Sequence, residues 1–193
     1  MRGCQGFYKS SLAKAWAAKG WKDIVDLKVV PYGNARVLDG KIQCQHGEPE
    51  CQGNRWQQCA IHAYPDQVEH IPFIICTEEH GDDMLNNMEK CATESGLVYS
   101  KLSACYNSPL SDQLQQQAAK DTPSDHKYVP WIMIDGKLSP SDGDHILQEV
   151  CAKYKGNKPA GCSAAVEPPR TEFLRRDGRC FVDEEQTVGS QVE

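Results

Sequence analysis

Cys44-Gln45-His46-Gly47-Glu48-Pro49-Glu50-Cys51, followed by Asn54 and Cys59, is the stretch on which the fold turns. Three chemistries compete for it. Zinc could use Cys44, His46, Cys51 and Cys59, but the paired short C-x2–4-C knuckles of structural zinc sites are missing. Catalytic thiols are a second reading, although no C-x-x-C occurs anywhere in the chain. Structural disulfides are the third, and an oxidising compartment would favour them.

The chain around this stretch supports such a compartment. It holds 10 cysteines in 193 residues. A domain of that size buries roughly two-thirds of its unfolded surface and does not need cross-links merely to stay folded. Lys+Arg 21 against Asp+Glu 27 leaves a net charge of −6, so no basic surplus is available for a nucleic-acid partner. No apolar run approaches the ~20 residues of a membrane span. An oxidising compartment requires an address, yet Met1-Arg2-Gly3-Cys4 has no apolar h-region behind it. The expectation is that a signal segment is missing from this sequence.

Upstream of the central stretch, Asp39-Gly40 marks a turn. Ile24–Val30 alternates, with Val25, Leu27 and Val29 on one face and Asp26 and Lys28 on the other. That pattern predicts a strand, ended by Pro31-Tyr32-Gly33-Asn34. Gln5 to Gly20 reads as a helix with Tyr8, Leu12, Ala15 and Trp16 at helical spacing. Downstream, residues from Cys44 to about Lys120 read as several short helices punctuated by Pro49, Gly53, Pro65, Pro72, Gly81 and Pro109. Trp131-Ile132-Met133-Ile134 then forms an apolar strand behind Val129-Pro130, and Asp135-Gly136 closes it as a hairpin. Ser141 to Asp144 opens a further helix carrying Leu147, Val150, Cys151 and Tyr154 on one stripe. Residues 1–162 form the predicted domain, and residues 163–193 a flexible tail.

This order outlines an α/β sandwich whose first element is a helix. A right-handed βαβ unit wants a strand ahead of Cys4, parallel to Ile24–Val30. Such a strand would also pair with Trp131–Ile134, so its absence leaves two unpaired edges and predicts poor solubility.

The motif Cys44-Gln-His-Gly-x-x-Glu-Cys51-x-x-Asn54 with Cys59 resembles the signature of the gamma-interferon-inducible lysosomal thiol reductase family. Val30-Pro-Tyr-Gly-Asn34-Ala35, Tyr128-Val-Pro-Trp-Ile132 and Asp135-Gly136 agree with it, and the resemblance runs from about Gly3 to Cys162. It implies a thioredoxin-like α/β fold with a helical, disulfide-rich insertion, its first strand absent from this sequence. It implies reduction of disulfide-bonded protein substrates in a lysosomal or secreted setting, with a small-thiol reductant as electron donor. No cofactor or metal is implied beyond a redox-active cysteine. Cys44, Cys51, Cys59, Cys76, Cys91, Cys105, Cys151 and Cys162 match family positions and are expected to form four structural bridges. Cys180 is an extra.

The family's active site is a C-x-x-C at the start of the first helix, and there this chain departs. Cys4 matches the second, resolving cysteine, while Met1 stands in place of the nucleophile. A thiol with pKa ~8.5 is ionised only about once in 3,000 molecules at pH 5, and a helix N-terminus raises that fraction. A thioether has no thiolate to raise. Val129-Pro130 is the other expected site element, a cis X-Pro bond against the dithiol where substrate backbone can pair. A trans proline at a strand entry is the plain alternative. Trp131 reads as core. Two functions follow: a thiol–disulfide reductase with little or no dithiol turnover as written, or a redox-silent secreted binding module on the same scaffold. His46 reads as a hydrogen-bonded structural residue that could also tune a thiol. Glu48, Glu50, Glu78 and Glu79 read as solvated surface charges.

Overall fold

The computed structural model describes residues 2–163 and the pair Cys180–Phe181. The chain enters through α1 (Arg2–Phe7), which passes through a π turn at Tyr8–Leu12 into α2 (Ala13–Ala17). Phe7, Leu12 and Ala15 fall on its buried face. A turn at Trp21–Asp23 follows and buries Trp21 completely, edge-on to Trp16.

The middle of the chain is helical because each segment carries a burial stripe. These are α3 (Glu48–Ala63), α4 (Gln67–Glu79), α5 (Met88–Glu94), α6 (Tyr99–Tyr106) and α7 (Pro109–Asp121). Three of the five also carry a start signal: Pro49 in the first turn of α3, Asp66 before α4 and Ser108 before α7. Asp66 caps α4 by accepting from the Val68 N–H at 3.0 Å, and Ser108 caps α7 by accepting from the Leu110 N–H at 3.3 Å. Ile71, Phe73 and Ile74 of α4 meet Met88, Ala92 and Leu102 in the core. Trp56 of α3 is stacked against both Tyr99 and Tyr106, with centroids 5.4 and 4.6 Å away.

Pro72 does not end a helix as expected but lies inside α4. It denies only the Val68 carbonyl its i+4 donor, one turn from the helix start, where Val68 is already exposed.

Four disulfides join Cys44–Cys51, Cys59–Cys105, Cys76–Cys91 and Cys151–Cys162. The first two exclude zinc at Cys44, His46, Cys51 and Cys59 in this oxidised form.

The strands are shorter than the sequence suggests. β1 (Arg36–Leu38) and β2 (Lys41–Gln43) form a hairpin over Asp39-Gly40, both at positive φ as a type I′ turn requires. β3 (Tyr128–Val129) pairs antiparallel with β6 (Cys180–Phe181). Numbered between them, β4 (Met133–Ile134) and β5 (Lys137–Leu138) form a hairpin over Asp135-Gly136. The chain closes through α8 (Ile146–Lys153) and α9 (Ala160–Ser163). Helix α8 starts later than expected, because Ser141–Asp144 is spent on a turn. There Ser139 and Ser141 both donate to the Glu149 carboxylate.

Two expectations need correction. The described strands make three separate two-stranded antiparallel ladders, not one sheet with parallel members. Ile24–Val30 is not a strand by pairing, although its alternation survives: Val25, Leu27 and Val29 are half-buried while Asp26 and Lys28 are exposed. No described strand runs beside it, and a strand without a neighbour has no ladder to join. Its nearest substitute is one side chain. Gln67 accepts from the Leu27 N–H at 2.8 Å and donates to the Val25 carbonyl at 2.7 Å, as a neighbouring peptide group would. The result is a disulfide-rich fold dominated by helices, with a few short strands. Apart from Ser163 in α9 and the pair in β6, the tail predicted over 163–193 lies outside the described residues, as does Met1.

Candidate active site

A cleft of about 930 Å³ opens between the extended Ile24–Val30 segment and the Val129–Asp135 segment. Phe7, Tyr8 and Leu12 of the first helix wall it, while Gly53 and Gln57 of α3, Glu78 at the end of α4 and Ile146 and Val150 of α8 complete it. The cleft therefore gathers the elements that the sequence singled out from opposite ends of the chain.

Cys4 lies in α1, one helical turn before Phe7 and Tyr8. Those two residues share the cleft wall with Val129 and Pro130, whose peptide bond is cis. Phe7 sets the spacing between these parts. A Cβ built on Gly143 would lie 2.6 Å from Phe7 Cε2 and 3.0 Å from Ile132 Cγ1. Only glycine, here at φ +85°, lets the first helix close on the strand that follows Pro130. Trp131 is half-buried in the cleft wall, edge-on to Tyr128 with centroids 5.1 Å apart, and so is not a core residue.

The signature segment serves a different purpose. Gly47, at φ +87° and ψ −171°, turns the chain from Cys44 into α3, and the Cys44–Cys51 bridge ties that turn to the first turn of the helix. Behind it, three amides fasten the Pro31–Asn34 turn. The Asn54 side chain donates to the Tyr32 carbonyl at 3.3 Å and that of Gln58 to the Pro31 carbonyl at 2.6 Å. Asn34 Nδ2 donates to Gln45 Oε1 at 2.8 Å. The signature thus anchors one wall of the cleft. His46 is hydrogen-bonded, as read from the sequence: its ring Nδ1 lies 3.2 Å from Glu50 Oε2, which also accepts from the His46 backbone N–H at 2.8 Å.

Two acids read as solvated are not. The Glu50 side chain retains only 11% of its exposure and lines the cleft with His46. Glu78 also lines it, and Gln57 donates to its Oε1 at 2.8 Å. Burial pushes the Glu78 carboxyl above the usual carboxylate range and the charge of Glu50 adds to that push, while the Gln57 hydrogen bond opposes it. Glu79, its neighbour, is exposed. A run of charged residues near a helix end hid the difference, since helical phase alone decides which of two adjacent acids turns inward. His126 also faces the cleft, with Nδ1 2.6 Å from the Pro123 carbonyl. Its Nε2 is buried with no hydrogen-bond partner among the described residues.

Comparison with known proteins gives these parts a context. Residues 2–95 match the family model "Gamma interferon inducible lysosomal thiol reductase (GILT)". The chain is 34% identical over 173 residues to the "Gamma-interferon-responsive lysosomal thiol protein" of Arabidopsis thaliana, covering 85% of this chain and 72% of the relative. It is 32% identical to the "Gamma-interferon-inducible lysosomal thiol reductase" of Carassius auratus over 178 residues, 86% of this chain and 69% of the relative. It is 30% identical to the mouse protein of the same name, with the same coverages.

Proposed function

Because the chain belongs to the gamma-interferon-inducible lysosomal thiol reductase family, we propose that it acts on disulfide-bonded proteins as a thiol–disulfide oxidoreductase, with the substrate across Cys4 and Val129-Pro130. The observation that carries this reading is the shared cleft, which Phe7 and Tyr8, at the end of the helix bearing Cys4, line together with Val129 and Pro130. The scaffold is read as thioredoxin-like. The setting is read as acidic and endolysosomal, after the relatives' names, or as secreted.

The chemistry requires two thiols. The first thiolate attacks one sulfur of the substrate disulfide, forms a mixed disulfide and releases the other substrate sulfur as a thiol. The second then attacks the first, freeing the remaining substrate sulfur and leaving a disulfide in the enzyme for a small thiol to reduce. Two electrons pass from enzyme to substrate. Cys4 is the second thiol, and Met1 stands where the first belongs. With methionine at position 1, a mixed disulfide formed at Cys4 finds no thiol at that position to resolve it.

Insulin reduction tests this. The chain is assayed beside a Met1→Cys version that carries an apolar strand ahead of it. The Met1→Cys version is expected to be faster by about two decades or more, the contribution of an activated thiolate. Equal activity would show that the nucleophile does not belong at position 1. If both fold and neither reduces insulin, the chain is a redox-silent binding module on the family scaffold.

A further inference from the structure

Away from the cleft, α4 and α5 bring together a second set of donors. Cys76 and His80 stand four residues apart at the C-terminal end of α4, and Cys91 and Glu94 three apart on α5. Such spacings put both members of a pair on one helix face. The Cys76–Cys91 bridge shows that the two faces oppose. Both sulfurs and a ring nitrogen of His80 lie within 4.8 Å of one another, and Glu94 Oε2 is 3.7 Å from Cys76 Sγ. Among the described residues no other three such donors gather as tightly.

Two sulfurs, an imidazole and a carboxylate match zinc in number and type. Zn–S distances of ~2.3 Å and Zn–N and Zn–O distances of ~2.0–2.2 Å place tetrahedral donors roughly 3.3–3.8 Å apart. The two sulfurs and the imidazole need only adjust by about 1 Å, provided the sulfurs are free to part, and Glu94, already beside Cys76, swings in as the fourth donor. At present their mutual bond prevents that.

We propose that reduction of the Cys76–Cys91 disulfide turns this place into a zinc site made of Cys76, His80, Cys91 and Glu94, so that bridge and metal are alternative cross-links between α4 and α5. The electrons come from a thiol or phosphine reductant. A phosphine takes oxygen from water and becomes its oxide as the disulfide becomes two thiols. Zn²⁺ then displaces the two thiol protons to solvent, with no further change in oxidation state. Access is one-sided: Cys91 is fully buried, whereas Cys76 is half-buried and is the sulfur a reductant can reach. The site is independent of the cleft chemistry and stands whether or not the chain reduces substrates.

The test uses the full chain, oxidised or reduced with a phosphine, titrated with Co²⁺ as a spectroscopic stand-in for zinc. The reduced chain is expected to bind one Co²⁺ with thiolate-to-cobalt charge-transfer absorption and the visible bands of a tetrahedral ion, and the oxidised chain to show neither. His80→Ala leaves the bridge intact and is expected to weaken reduced-state binding about tenfold or more. Glu94→Gln should weaken it less. The pair Cys76→Ser and Cys91→Ser should abolish the charge-transfer band, while Cys59→Ser and Cys105→Ser should keep it. Equal affinity in wild type and His80→Ala would overturn the proposal, because the cobalt would then sit on other cysteines. So would loss of helical circular dichroism on reduction that Zn²⁺ does not restore.

Discussion

The helices from Glu48 to Asp121 and the extended segments from Ile24 to Val30 and from Tyr128 to Leu138 obey different rules of assembly. A helix closes its own backbone hydrogen bonds, so each helical segment needs only its stripe, helped in α4 and α7 by a side-chain cap, and tertiary contact adds burial. A strand closes none. Ile24–Val30 has a strand's alternation but, among the described residues, no neighbouring strand: Gln67 meets Leu27 and Val25 in place of one, and the segment borders an open cleft. The helical region shows the opposite condition, with Trp56 stacked on two tyrosines and Ile71, Phe73 and Ile74 fully buried. Stability in this molecule therefore concentrates where structure is local, and the candidate chemistry lies where it is not.

The largest test of that contrast is the long cross-link. Cys59–Cys105 joins α3 to α6 across a sequence separation of 46, against 7 for Cys44–Cys51. Loop entropy makes the first worth about 4 kcal/mol and the second about 2.4 kcal/mol. Denaturant melts of Cys59→Ala/Cys105→Ala and Cys44→Ala/Cys51→Ala should differ in that order. The reverse order would mean that the signature bridge, not the helical cross-link, carries the fold.

Next in size are two apolar truncations of unlike kind. Ile74→Ala, in the packed region, should cost about 2–5 kcal/mol. Val29→Ala, beside the cleft, should cost less than about 1 kcal/mol, because Val29 is half-buried and has an open side. Amide exchange over residues 24–30 should likewise run orders of magnitude faster than in α3. An apolar strand joined ahead of Met1 sharpens the test. If it enters the cleft, Val29→Ala rises toward the core range and the 24–30 amides gain protection. If neither changes, the cleft does not accept a strand.

The same contrast explains what the sequence could disclose. Caps and helical stripes are local, so the chain of helices and the turns at Asp39-Gly40 and Asp135-Gly136 were legible, although Gly53 and Pro72, read as breaks, lie inside α3 and α4. The period of two at Ile24–Val30 was legible as well, but pairing depends on a second segment, and period alone does not supply one. Ser141 looked like a helix start because its hydroxyl does accept from the His145 N–H at 3.0 Å, yet the turn at Gly143 delays the helix to Ile146. Eight cysteines admit 105 pairings, and their selection depends on which segments face each other in the fold, as α3 faces α6 at Cys59–Cys105 and α4 faces α5 at Cys76–Cys91. The resemblance points to Cys4 and to a cis bond at Val129-Pro130, and the bond is cis. Glu78 was not legible, because nothing in Thr77-Glu78-Glu79 says which acid meets the cleft.

Asn54 gives a smaller effect that bears on how the two regions are joined. Its side chain reaches from α3 to the Tyr32 carbonyl, at the end of the extended segment. Asn54→Ala should cost about 1 kcal/mol, the net worth of one hydrogen bond. It should also speed amide exchange around Pro31–Asn34 more than within α3 itself. Equal acceleration in both would show that Asn54 supports the helix and not the cleft wall.

The smallest expected effect concerns Glu78, the charge held between the two regions. Its folded-state pKa is raised, chiefly by burial, so the folded chain holds the Glu78 proton more tightly than the unfolded chain does. That linkage stabilises the fold most fully at pH values below the unfolded carboxylate pKa. It is lost as pH rises through the higher folded value, where Glu78 must ionise within the cleft wall beside Glu50. Glu78→Gln keeps an oxygen to accept from Gln57 but cannot ionise. Its melting temperature should therefore match the parent's in acid and exceed it at neutral pH. The gap should open across the window between the two pKa values. A gap that is constant with pH would mean that Glu78 acts through its shape and hydrogen bond alone. A gap of opposite sign would mean that the carboxylate, not the acid, is the form the cleft prefers.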